Sequence, residues 1–109
     1  MPSSDAMNKI TSIIPEIKSR PEMYLSERSI THLRVFIDGY LLGLLHAKES
    51  EEEGASLYRF QEWLFKRYEV ERGNPSWDQI IRFNALNESG ALDLFFVLWE
   101  EFIRSGECG

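Results

Sequence analysis

Arg20-Pro21 interrupts two stretches of helical apolar spacing, and it limits the fold more than any other feature of the chain. Proline fixes its own φ and pushes the preceding residue out of the helical region, so a helix running toward Arg20 must stop there. Before the break, Met7, Ile10, Ile13, Ile14 and Ile17 recur at helical spacing, with Ser3, Ser4 and Asp5 as N-caps. After it, Ile30, Leu33, Phe36, Ile37, Tyr40, Leu41, Leu44 and Leu45 form a wide apolar face on a helix predicted to start at Ser29. A face that wide implies a central helix. Met23, Tyr24 and Leu25 are expected to pin the intervening turn onto the core. Tyr24 can bury its ring there and still satisfy its hydroxyl. Pro15 is expected to kink or divide the first helix near Ser12.

The remaining sequence predicts three more helices. Glu49-Ser-Glu-Glu-Glu-Gly54 reads as a solvated helix end or loop. Ser56 caps a third helix from Leu57 to about Glu71, with Leu57, Phe60, Trp63, Leu64 and Tyr68 inward and Gly73 as its stop. Asn74-Pro-Ser-Trp77 feeds a short fourth helix through Asn84, with Ser76 and Gln79 forming a capping box. The last helix spans about Gly90 to Arg104, with Leu92, Phe95, Phe96, Leu98, Trp99, Phe102 and Ile103 apolar. Phe36 and Phe95 are expected to be buried. Gly39 and Gly43 cost helix propensity but permit the close approach of another helix. No Asn-Gly occurs, and the one Asp-Gly pair, Asp38-Gly39, lies inside the second helical pattern, so no hairpin is signalled. The expected fold is all-α, a single-domain bundle of about five helices over residues 1–109.

At 109 residues, 43% hydrophobic and 13% aromatic, the chain can fill one core. No apolar run reaches the roughly 20 residues needed to span a bilayer, and the N-terminus has no signal-peptide pattern, so a cytoplasmic location is expected. The net charge of -6 is uneven: +1 over residues 1–48 and -7 over residues 49–109. Such a half repels phosphate backbones and complements a basic protein surface, although acidity also serves plain solubility.

Catalytic chemistry finds little support. His32 and His46 are about 21 Å apart along one helix and cannot share a metal. Near a helix C-terminus His46 has an ordinary electrostatic role. Cys108 is the single cysteine, with nothing fixed to activate it. Glu51-Glu52-Glu53 and Glu100-Glu101 are neighbours in sequence, which on a helix point in different directions, while Glu62 and Lys66 form an ordinary i,i+4 pair. The reading is therefore of a protein that is not an enzyme, with no catalytic residue, cofactor or metal. Trp63, Trp77 and Trp99 sit on three segments, either as core or in part as a partner-facing patch.

Arg20-Pro21, Met23-Tyr24-Leu25, Ser29, Leu33, Phe36 and Gly39-Tyr40 resemble a pattern in small bacterial helical proteins that look like immunity proteins of contact-dependent growth inhibition. Phe60 with Trp63, Trp77 with Ile80-Ile81, and Ala91 through Phe96 extend the resemblance. Ser26 and Glu22 depart from it, standing where such proteins often have glycine. The turn also resembles one in the ATP-binding domain of type II topoisomerase subunits, but the following helix has no Asn and no glycine-rich phosphate loop follows. Nucleotide binding is therefore not expected.

The immunity resemblance implies stoichiometric neutralisation of a cognate toxin domain, with no nucleic acid, membrane or small-molecule partner. A nuclease fits the acidic half, since a cleft that holds phosphates is basic. The expected partner-binding residues are Glu49, Glu51, Glu52, Glu53, Glu62, Glu69, Glu71, Glu100 and Glu101. The alternatives are a phage- or plasmid-encoded module that binds another protein, and a small enzyme using carboxylates in a cleft.

Overall fold

The computed structural model describes residues 9–46 and 52–106. The first helix, α1 (Lys9–Ser19), runs through Pro15 without dividing. Ile10, Ile14 and Ile17 are buried on one stripe, while Ser12 and Pro15 lie on the exposed side. An interior proline costs about 3 kcal/mol. Burial of three isoleucines contributes roughly 1.5–3 kcal/mol each, so packing outweighs the break.

Arg20 ends α1, and Pro21 opens a single helical turn, α2 (Pro21–Tyr24), as the N1 residue. Leu25 is buried. The Tyr24 ring meets Phe36 edge-on at 5.8 Å, and its hydroxyl donates to Glu16 Oε1 at 2.9 Å. That hydrogen bond, followed by burial of the ring, raises the Tyr24 pKa above its ordinary value. Met23 departs from expectation and is 64% exposed. In one turn, residues 21, 24 and 25 share a face, and residue 23 lies off it.

The central helix is α3 (Ile30–His46). Ser29 caps it: the His32 N–H donates to Ser29 Oγ at 3.0 Å, and Leu33 N–H to the Ser29 carbonyl at 3.1 Å. Ile30, Leu33 and Ile37 are buried, whereas Phe36 is half-buried and stacks on Tyr40 at 6.0 Å. Gly39 and Gly43 do not receive another helix. Both are exposed, and a Cβ at either would meet nothing within 4 Å among the described residues.

The next helix, α4 (Glu52–Arg67), starts a turn earlier than predicted, so Ser56 lies inside it. Its stop is also not Gly73. Val70 N–H donates to the Phe65 carbonyl at 2.8 Å, and Glu69 adopts φ 52. The six-to-one bond over a left-handed residue is a Schellman closure, with glutamate where glycine is usual.

Two helices complete the bundle, α5 (Trp77–Phe83) and α6 (Glu88–Ser105). Ser76 and Gln79 form the expected capping box, in which the Gln79 side chain accepts from the Ser76 N–H at 3.0 Å. Asn87 caps α6 through the Gly90 N–H at 2.7 Å, and Gly106, at φ 80, closes it. Phe60 of α4 is the hub of the core. It lies 5.0 Å from Trp99, 5.4 Å from Phe102, 5.6 Å from Phe95 and 6.4 Å from Trp77. Phe95 is fully buried, Trp77 and Trp99 nearly so, and Trp63 half-buried. Aromatic side chains from α4, α5 and α6 thus form one cluster, with α3 packed against α6. The architecture is all-α. No helix among the described residues is long and apolar enough to cross a membrane.

Candidate functional site

The polar centre of the molecule is Asp78, in the first turn of α5. Its residue is only 6% exposed. Trp77, Ile80 and Ile81 drive that turn into the core and carry Asp78 with them. A buried carboxylate needs partners, and three are supplied. Arg34 Nη1 donates to Oδ1, Ser76 Oγ donates to Oδ1 at 2.6 Å, and Arg82 Nη2 reaches Oδ2 at 3.4 Å. Arg34 also donates from Nε to both oxygens of Asp38, at 3.0 and 3.2 Å, and lies 5.8 Å over the Trp77 ring. Burial works against the charge on Arg34, but the Asp78 and Asp38 carboxylates outweigh it and hold its pKa above the ordinary value.

Arg82 carries the network onward. Its Nε donates to Glu88 Oε2 at 3.0 Å and its Nη2 to Thr31 Oγ1 at 2.9 Å, while the Thr31 N–H donates to Glu88 Oε1 at 3.0 Å. Glu88, in the first turn of α6, therefore satisfies a free amide at the start of α3. The Thr31 hydrogen bonds, the backbone one foremost, hold the Glu88 carboxyl below its ordinary pKa, with Arg82 assisting. This cluster clasps α3, α5 and α6 together. Its guanidinium groups are already committed to carboxylates, so an incoming anion would have to displace Asp78 or Glu88.

A different kind of surface lies on the far side of α5. Tyr68, Val70, Pro75, Ile80 and Phe83 wall an open apolar hollow of about 640 Å³, with Gln79, Arg82 and Asn84 contributing polar groups. Phe83 is 91% exposed, and Leu86 in the following turn is fully so. Single exposed apolar residues are common on protein surfaces. Here Phe83 walls an apolar hollow and Leu86 follows three residues on, and burial of each would be favourable by roughly 1.5–3 kcal/mol.

The nine acidic residues fall into separate places. Glu49 and Glu51 lie outside the described residues, and Glu52 and Glu53 open α4. Glu62 is exposed and accepts the Tyr58 hydroxyl, a hydrogen bond that raises the Tyr58 pKa. Glu100 pairs with Lys18 of α1 at 2.6 Å, and Glu101 with Arg67 of α4 at 3.3 Å. These neighbours do point apart, as consecutive helix positions must. Glu69 and Glu71 are exposed on the loop that supplies Tyr68 and Val70 to the hollow.

His32 Nδ1 lies 2.6 Å from Ser29 Oγ at the α3 cap, and Ser29 is buried, so the pair serves the cap. Among the described residues, no group of three His, Cys, Asp or Glu side chains could hold a metal. The sequence reading missed Asp78 and the exposed pair Phe83 and Leu86. Their available signals were the i,i+4 spacing of Asp78 with Arg82 and of Arg34 with Asp38, and the position of Phe83, about 200° around α5 from Ile81. No protein-family model, curated protein or solved structure matches the chain.

Proposed function

We propose that this chain is an immunity protein that binds and neutralises a cognate secreted bacterial toxin domain by stoichiometric occlusion. The observation that carries a protein-binding role is the open apolar hollow beside exposed Phe83 and Leu86. Exposed large apolar groups beside a concavity are the chemistry of a protein contact. The toxin as partner rests on the resemblance of the Arg20–Leu25 turn and the segments after it. The nuclease class rests on the -7 balance of residues 49–109, which complements a basic, phosphate-binding cleft. The alternative, a phage- or plasmid-encoded module that regulates another protein, would use the same surface on a different partner.

Co-expression tests the reading. Where the adjoining reading frame encodes a toxin domain, that domain should arrest growth when produced alone in the host cytoplasm. Growth should return when this chain is produced with it, and the two should co-purify in equal amounts. Arrest that persists despite ample soluble chain would exclude neutralisation of that toxin.

A further inference from the structure

We propose that the hollow walled by Tyr68, Val70, Pro75, Ile80 and Phe83 anchors the toxin contact by receiving a large apolar side chain of the partner that lies between lysine or arginine residues. This deepens the immunity reading and rests on it for the partner's identity, but its chemistry comes from the surface itself.

Three observations fix the occupant. The hollow is open and mostly apolar, so leucine or an aromatic ring suits it better than a charged side chain. Phe83, one of its walls, is exposed and offers its ring to such a group, and exposed Leu86 follows three residues along the chain. The loop between Val70 and Pro75, together with Glu69, sets the charge at the edge. Glu69 and Glu71 are exposed and have no ion pair among the described residues, unlike Glu100 and Glu101. Of the nearby cations, Arg67, 5.6 Å over the Tyr68 ring, pairs with Glu101, Arg82 is occupied by Asp78 and Glu88, and Arg72 offsets one of the two glutamates, which leaves the edge net acidic. Basic residues flanking the partner's anchor would meet Glu69 and Glu71.

A second copy of this chain fits less well. Pairing the same patch across a two-fold axis would bring two acidic loops together, in a chain already at -6.

The test uses three capped peptides as probes: a Leu-Trp pair between lysines, the same pair between glutamates, and a Ser-Ser pair between lysines. Backbone amide shifts of the full chain are followed by nuclear magnetic resonance during titration. The lysine-flanked Leu-Trp peptide should give saturable shifts concentrated at residues 68–75 and 79–86, and the other two should bind at least about tenfold more weakly. Phe83→Ser should weaken the first peptide by a similar factor, and Glu69→Lys combined with Glu71→Lys should erase its preference over the glutamate-flanked one. Both changes are at exposed positions, and near-ultraviolet circular dichroism confirms that the fold persists.

Shifts centred elsewhere, or equal affinity for the lysine- and glutamate-flanked peptides, would overturn the proposal. So would a concentration-dependent dimer in sedimentation that Phe83→Ser abolishes, because the occupant would then be a second copy. The immunity reading fails separately. If Phe83→Ser with Leu86→Ser still protects cells from the adjoining toxin, that reading stands and the anchor is wrong.

Discussion

Asp78 shows how much one buried carboxylate can organise. It receives Arg34 from α3, Arg82 from its own helix, and the Ser76 hydroxyl. Asp78→Ala should lower stability by about 1.5–3 kcal/mol, the range for lost hydrogen bonds to charged groups. The loss stops short of the full penalty for an orphaned buried ion, because Arg34 and Arg82 are over a third exposed and can return to water. Urea denaturation measures this directly, as a lower midpoint at unchanged slope. An unmoved midpoint would mean that the clasp adds nothing to packing. Glu69 makes the opposite prediction. Its left-handed backbone costs a side-chain-bearing residue about 1–2 kcal/mol, partly offset in glycine by a looser unfolded chain. Glu69→Gly should therefore raise stability by roughly 0.5–1 kcal/mol in the same assay.

At the scale of helices, what could be read from sequence was whatever depends on near neighbours. The Arg20-Pro21 stop, the start of a helix at Ser29, the Ser76–Gln79 capping box and the apolar faces of α3 and α6 all follow from spacing and local chemistry. What depends on distant chain was not legible. Asp78 is buried because Arg34 arrives from 44 positions earlier, and nothing local reports that arrival. Gly39 and Gly43 have the spacing of a close helix contact, yet no described helix comes near. Gly39→Ala and Gly43→Ala should each stabilise the protein by about 0.5–1 kcal/mol through helix propensity, read as a higher melting temperature. A loss at either position would reveal a neighbour packed on that face.

The bridge from α6 to α3 through Glu88 adds a pH dependence. Its folded pKa lies below the ordinary 4.5, so its contribution is complete above that value and is lost as pH falls through the folded pKa. Denaturation curves run from neutral pH downward should show wild type losing its advantage over Glu88→Gln across that acid limb. A difference that persists undiminished below it would contradict the assigned bonds.

For the whole molecule, the aromatic core and the ionic clasp leave the apolar hollow uncommitted, with exposed Glu69 and Glu71 in the chain that supplies Tyr68 and Val70 to it. The -7 balance of residues 49–109 is partly consumed inside the molecule, since Lys18, Arg28 and Arg34 from the earlier half pair with Glu100, Asp93 and Asp78. Binding by this surface is therefore expected to rest on apolar contact, with charge governing partner choice and encounter rate. The central claim is neutralisation by one-to-one binding. Its most direct measurement is a titration of the purified toxin domain's activity with this chain. Residual activity should fall linearly and reach its floor at one equivalent, and Phe83→Ser with Leu86→Ser should abolish the effect while circular dichroism is unchanged. Full inactivation by a small fraction of an equivalent would indicate turnover, and undiminished toxin activity at excess would indicate no binding; either result contradicts the account.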